Sequence, residues 1–320
     1  TAASGSDAVQ TLLSRNVDAI VGPISSTVAL GALRNIVDDV VLACSPTATA
    51  LGLDSFPDDG LFFRTVPSDS MQAKALVKVA EDTGVLSVAI AHVDDAYGRP
   101  LSKAVTAELA DVPIEEVGNI PFASGDAELD TEVAQVVDSG ARVLILLAGS
   151  SDATQFLEAL SESDDLQLDR IIVNDALRSP ESSQRLASLP IRVRSRILGV
   201  APQSQAEDPV EAPFDPPGPF ATQAFDCVTL IALAAGYANS DSSRDIATNL
   251  PSISFGGSPC RTYRACTEVL ARGLQIDYNG PSGVTEIAPV SGDPSRARFD
   301  LFTIDDQGHD VLFATFPIEA

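Results

Sequence analysis

Residues 17–30 read "VDAIVGPISSTVAL". An apolar, β-branched run stops at Gly22-Pro23, three hydroxyl residues follow within four positions, and apolar residues then resume at helical spacing. Gly-Pro punctuates a strand end. Ser25, Ser26 and Thr27 are residue types whose hydroxyls satisfy the free N–H groups that open a helix. The stretch is a buried strand feeding a helix, the repeating step of a doubly wound α/β sheet. A second corner has the same design: in "ACSPTAT" (43–49) hydroxyls stand just past the end of another apolar strand.

The rest of the chain extends the pattern. Apolar runs at 17–22, 40–44, 85–93, 141–149, 169–174 and 196–201 read as buried parallel strands. Amphipathic segments at 70–84, 98–111, 128–140 and 151–163 lie between them and read as helices. Residues 298–315 read as two strands around a Gly-containing turn, an antiparallel hairpin. The segment "QAEDPVEAPFDPPGPF" (205–220), with five prolines, excludes regular helix or central strand and reads as a surface connection between lobes.

A length of 320 residues with 45% hydrophobic content supports more than one packed lobe. The formal charge is −25, from 45 acidic and 20 basic residues, and only Lys74, Lys78 and Lys103 are lysines. Such a surface repels phosphate backbones and anionic lipid heads, so neither nucleic acid nor a membrane surface is an expected partner. Salt adaptation or a GC-rich genome would each produce this bias. No apolar run approaches a membrane span, and residues 227–238 are short enough for a core helix. Without an initiator Met or a signal peptide, the chain reads as a processed or trimmed one. Cys260 and Cys266, in "CRTYRAC", are spaced to close a small disulfide loop, with free thiols as the alternative. Cys44 and Cys227, in apolar surroundings, read as buried fillers.

Enzyme signatures are missing. There is no Gly-x-Gly-x-x-Gly, no phosphate-binding loop and no Gly-x-Ser-x-Gly elbow. His92 and His309 are too few for a zinc centre, and each reads as an ordinary polar residue at an element end, so no metal and no cofactor is expected. Asp94 and Asp95 precede a helix and read as caps rather than an acid–base pair. What remains is the pair of hydroxyl corners. Helix N-termini carry free donors and partial positive charge, and ligands of open α/β sheets bind outside the strands' carboxyl ends. Two such corners on neighbouring strands point to an anion-binding cleft.

With these residues in place, the chain resembles the type I solute-binding proteins of amino-acid ABC importers, the leucine/isoleucine/valine-binding group. The resemblance runs through "VDAIVGPISS", "CSPTAT", "LFFRTVPSDSMQAKA", "VAIAHVDDAYGRPL", "ARVLILLAG", "RIIVND", "AFDCVTLIALA" and "IDYNGPSGVTEI…GDPSRARFDLFTI", in order. It implies two doubly wound α/β lobes joined by three crossovers, near Pro67, Pro202 and Arg298. Lobe one would hold 1–66 and 203–297, lobe two 68–201 and 298–320, with the ligand cleft between them. It implies that Ser25 or Ser26, together with the Thr47–Ala48–Thr49 corner, holds a ligand carboxylate, that Tyr97 faces the ligand, and that Asp175, beside Asn174, takes its ammonium; for Asp175 a helix N-cap is the alternative role. It also implies a disulfide between Cys260 and Cys266.

Departures from the group bear on the ligand. The group begins with a strand, a helix and a strand before anything like "DAVQTLLSRNVDAIVGP", and these are absent from this chain. Ser150 stands where leucine-binding relatives carry a large aromatic, which implies a roomier or more polar pocket. Phe225 replaces a common Tyr, and the Pro-rich segment is shorter than usual. The resemblance thus implies a monomeric, non-enzymatic receptor outside the cytoplasm, in the periplasm or on the cell surface through a lipid anchor. It would bind a small amino acid or related carboxylate and deliver it to the membrane subunits of an ABC importer. A sensor domain of the same fold is the alternative, and a small-amide hydrolase is a third reading that lacks an activated nucleophile.

Overall fold

The computed structural model describes residues 2–126, 128–163, 165–204, 218, 220–283 and 286–319. Apart from Gly218 and Phe220, the Pro-rich segment lies outside them. In chain order the elements are α1 (Ala2–Leu13), β1 (Ala19–Val21), α2 (Ser26–Asp38), β2 (Leu42–Ser45), β3 (Phe62–Arg64), α3 (Asp69–Asp82), β4 (Ser87–Val93) and α4 (Gly98–Leu109). Then come β5 (Glu115–Phe122), α5 (Asp130–Asp138), β6 (Val143–Leu147), α6 (Ser150–Leu160), β7 (Arg170–Val173), α7 (Ser183–Ser188), α8 (Ile191–Arg194) and β8 (Ile197–Pro202). The chain continues with α9 (Ala221–Ala238), α10 (Ser243–Ile253), β9 (Ser258–Cys260), α11 (Tyr263–Leu270), β10 (Ile276–Tyr278), β11 (Arg296–Ile304) and β12 (Asp310–Glu319).

These elements fall into two compact units. Unit one comprises Thr1–Ser68, Gln203–Ala297 and Glu319–Ala320, and unit two comprises Asp69–Pro202 and Arg298–Ile318.

Unit one contains a three-stranded parallel sheet, order β1-β2-β3, and a separate parallel pair, β9 and β10. Ala29, Ala32, Leu33 and Ile36 of α2 form one fully buried stripe at helical spacing and pack with Ile20, Ala43 and Phe62 of the sheet. A second core forms around α9, whose Cys227, Leu230, Leu233 and Ala234 are fully buried against Leu42, Cys44, Leu250 and Ile276. Among the described residues α9 is the one helix long and apolar enough to cross a membrane, but these four residues are packed inside the unit.

The cysteines correct one expectation. Cys44 and Cys227 are not free fillers: they form a disulfide between β2 and α9 across a separation of 183 residues. Cys260 and Cys266 are bonded as well, across a separation of 6. Each of the first pair lies in its own apolar run, so local composition could not reveal that the fold brings β2 and α9 together.

Unit two is built on a seven-stranded sheet, order β12-β11-β8-β7-β6-β4-β5. The strands β5, β4, β6, β7 and β8 run parallel to one another, and β11 pairs antiparallel to β8. All five residues of β6 are fully buried, as a central strand covered on both faces requires. The carboxyl ends of β4, β6, β7 and β8 run into Asp94–Tyr97, Ala148–Ser150, Asn174–Asp175 and Gln203. This edge of the sheet carries the candidate residues of unit two.

Candidate functional site

In unit one the two hydroxyl corners are stitched to each other. Ser25 caps α2, its Oγ accepting from the Val28 N–H at 3.1 Å. Ser26 Oγ accepts from the N–H groups of Thr49 and Ala50, each at 3.2 Å. From the second corner, Ser45 Oγ donates to the Pro23 carbonyl at 2.6 Å and accepts from the Ala48 N–H at 3.0 Å. Thr47 Oγ1 donates to the Ile24 carbonyl. The structure thus brings Ser25, Ser26, Thr47, Ala48 and Thr49 together, with the Ala48 and Thr49 amides engaged by serine hydroxyls. Ser26 Oγ, having accepted twice, still has its own proton to donate. The Pro23 and Ile24 carbonyls, tied by Ser45 and Thr47, fix the entry to α2, whose first-turn amides carry the helix's partial positive charge.

Arg64 braces the second corner from behind, a role no sequence pattern announced. Its side chain is fully buried, and Nη1 donates to the carbonyls of Ala48 and Ala50 at 3.3 and 3.4 Å. Nε and Nη2 bond Asp293 and Asp54, both at 2.6 Å.

In unit two the site is acidic. Asp175 opens a short 3-10 turn after β7 and is 7% exposed. Burial pushes its carboxyl pKa up, and hydrogen bonds from Gln72, its own backbone amide, the Ala176 amide and the Asn174 side chain partly offset that rise. Gln72 Nε2 donates to Asp175 Oδ1 at 2.9 Å. No basic side chain among the described residues pairs with Asp175. Asn174 is fully buried; its Oδ1 accepts from the Ala148 N–H at 3.3 Å and its Nδ2 donates to the Tyr97 hydroxyl at 2.7 Å. Burial raises the Tyr97 phenol pKa well above its ordinary value, and the negative charges of Asp175 and Asp69 add to that rise. Tyr97 therefore stays a neutral donor whose proton is not claimed by Asn174.

Tyr97, Asn174 and Asp175 thus form one cluster at the carboxyl ends of β4 and β7. Ser150 starts α6 and its hydroxyl is bonded to that of Ser182, so its polarity is engaged within the unit. Asp95 caps α4 by accepting from the Tyr97 and Gly98 amides, both at 2.8 Å, while Asp94 pairs with Arg99 at 2.7 Å on the surface. Among the described residues no group of three or more His, Cys, Asp or Glu could hold a metal ion. Gln72 was missed in the sequence: it lies inside the quoted stretch "LFFRTVPSDSMQAKA" but reads there only as part of an amphipathic helix.

The profile of one family, described as periplasmic binding protein, matches residues 1–186. A chemotactic signal transduction system substrate-binding protein of Halobacterium salinarum is 27% identical over 304 residues, covering 86% of this chain and 68% of that relative. Among solved structures, the branched-chain amino acid transporter substrate binding protein of Streptococcus pneumoniae, in complex with isoleucine, superposes with a TM-score of 0.76 at 18% identity. The match covers 100% of this chain and 85% of that one. A solute binding protein of an ABC transporter from R. palustris, in complex with benzoate, gives a TM-score of 0.76 at 15% identity, covering 100% and 84%. At these identities the likeness is one of fold.

Proposed function

The chain belongs to the periplasmic binding protein family, and from that premise we propose that it is an extracytoplasmic receptor for one small amino acid or closely related amine-bearing carboxylate. The observation that carries this reading is Asp175, a buried carboxylate without a basic partner among the described residues, set among Gln72, Asn174 and Tyr97. A buried charge is retained only where something pairs with it, and a ligand ammonium supplies that pair.

The two ends of an amino acid need opposite surroundings. Asp175 takes the ammonium, with Tyr97 and Asn174 setting its orientation. The carboxylate goes to Ser25, Ser26 and the Thr47–Ala48–Thr49 corner, where hydroxyl protons and the first-turn amides of α2 act as donors. Ser150 borders the side-chain end of the ligand. Binding has no chemical step, whereas amide hydrolysis demands an activated nucleophile. The two disulfides agree with an oxidising compartment outside the cytoplasm. The partner is the membrane portion of an ABC importer, to which a monomeric receptor delivers its ligand.

A second reading differs only in the partner. The relative from Halobacterium salinarum is a chemotactic signal transduction substrate-binding protein, which favours a receptor that presents its ligand to a signalling protein. A thermal-shift screen of the twenty amino acids and small carboxylates tests the ligand. A true ligand at about a hundred times its Kd stabilises the native state by about 2.7 kcal/mol, and no shift with any amino acid rejects the assignment. Stimulation of importer ATPase activity by the loaded protein is the expected outcome; activation of a chemotaxis signalling complex without it would favour the second reading.

A further inference from the structure

Gln72 is 2% exposed in the first turn of α3, the helix that packs against β7 and β8. Its Nε2 donates to Asp175 Oδ1 at 2.9 Å and to the Val200 carbonyl at 3.3 Å. Both partners are acceptors, so the amide can stand only one way round: exchanging its nitrogen and oxygen would set oxygen against oxygen twice. The remaining atom, Oε1, is buried and has no hydrogen-bond partner among the described residues. Buried acceptors are almost always paired, and this one lies on the same amide that touches the carboxylate proposed to receive the ligand.

Among the described residues, a carboxylate without a cation just past the carboxyl end of β7 and an amide oxygen without a donor on the adjoining turn of α3 are complementary to a group with positive charge and several N–H donors. A primary ammonium has three such donors and no acceptor. A hydroxyl or a second carboxylate would leave one of the two acceptors unanswered. A quaternary ammonium would answer the charge of Asp175 but offer Oε1 nothing.

We propose that Gln72 is a ligand-binding residue and the selector for N–H-bearing amines: Oε1 accepts one ammonium N–H while Nε2 aligns Asp175 to accept another. The proposal rests on the amino-acid reading above, and it narrows the ligand to primary amines over their quaternary counterparts.

The test is calorimetric titration of the parent, Gln72→Met and Asp175→Ala with the amino acid giving the largest thermal shift, with its desamino analogue and with its N,N,N-trimethyl analogue. Methionine keeps the length of glutamine and removes both polar atoms. Gln72→Met should weaken the amino acid about tenfold to a hundredfold, the range for one hydrogen bond from a charged donor. It should leave the desamino analogue, which has no ammonium, within about twofold. A merely structural role would weaken both ligands alike. The trimethyl analogue should bind the parent at least about tenfold more weakly than the amino acid, and this comparison needs no variant to fold.

Unchanged amino-acid affinity in Gln72→Met, alongside a large loss in Asp175→Ala, would overturn the role of Gln72 and leave the amino-acid reading standing. Equal binding of the amino acid and its trimethyl analogue by the parent would likewise overturn it. Failure of every amino acid to bind the parent would remove the amino-acid reading, and this proposal with it.

Discussion

Arg64 Nε lies 2.6 Å from a carboxylate oxygen of Asp293, 229 positions further along the chain. The guanidinium is fully buried and joins four parts of unit one: β3, the Asp293 segment, the Asp54 loop and the 48–50 corner whose carbonyls it also holds. Arg64→Met removes the cation shared by two carboxylates with 28% and 11% side-chain exposure, and among the described residues leaves Asp54 only its hydrogen bond from the Ser68 hydroxyl. Breaking such a pair typically costs about 3–5 kcal/mol. Denaturant titration should show a loss of this order, and a loss under about 1 kcal/mol would mean the brace is dispensable.

The two disulfides should differ in worth. In the chain-entropy picture, closing a loop of 183 residues removes far more unfolded-state freedom than closing one of 6, about 5 against about 2 kcal/mol. Replacing Cys44 and Cys227 together by Ala should therefore lower unfolding free energy by more than replacing Cys260 and Cys266. Urea melts of the two double variants measure the difference. Equal losses would mean that native-state strain or residual unfolded structure outweighs the loop term.

Asp226 makes stability depend on pH. It is fully buried on α9, where it accepts from the Tyr278 hydroxyl at 2.7 Å and from the Ser282 amide at 3.0 Å. Burial lifts its pKa from 3.8 to about 6, against the pull of the Ser282 and Tyr278 hydrogen bonds. Because the folded value lies above the unfolded one, folding takes up a proton between about pH 4 and pH 6. Stability from this group is full at the acid end and falls as pH rises through about 6, by about 3 kcal/mol in all at 1.36 kcal/mol per unit. Relative to Asp226→Asn, the parent should lose stability between pH 4.5 and pH 7. A constant difference across that interval would contradict the assignment.

The sequence patterns read most clearly where burial is most complete. β2, β6 and β7 announce themselves because both faces are covered and every position, or nearly every one, is apolar. The strand β5, "EEVGNIPF", sits at the sheet's edge with an exposed or half-buried residue at most positions, so it has no apolar run to find. β3 ends in Arg64, whose charge disguises a buried strand until its two distant carboxylates are known. The hydroxyl corners were legible because caps are local chemistry. Gln72 was not, because its partners Asp175 and Val200 are 103 and 128 positions away.

The last prediction ranks the two ends of the proposed site. If Asp175 pairs with a ligand ammonium away from water, Asp175→Ala leaves that ammonium buried and unpaired, a loss of about 3–5 kcal/mol. At about 1.4 kcal/mol per tenfold, affinity falls by two to four orders of magnitude. Ser26→Ala removes a hydroxyl that also accepts from the Thr49 and Ala50 amides. Those amides are then free to turn to the ligand carboxylate, so the loss should be smaller, about 1–3 kcal/mol. Ser25→Ala should sit at the weak end of that range, since its Oγ serves the Val28 cap. The pH profile gives an independent check: burial raises the Asp175 pKa, so affinity for an amino acid should fall as pH drops and protonates it, and Asp175→Ala should flatten that fall. Calorimetry of the three variants, at two pH values, decides the matter. An Asp175→Ala protein that binds as tightly as its parent would remove the ammonium from the site and leave a ligand with a carboxylate alone as the better assignment.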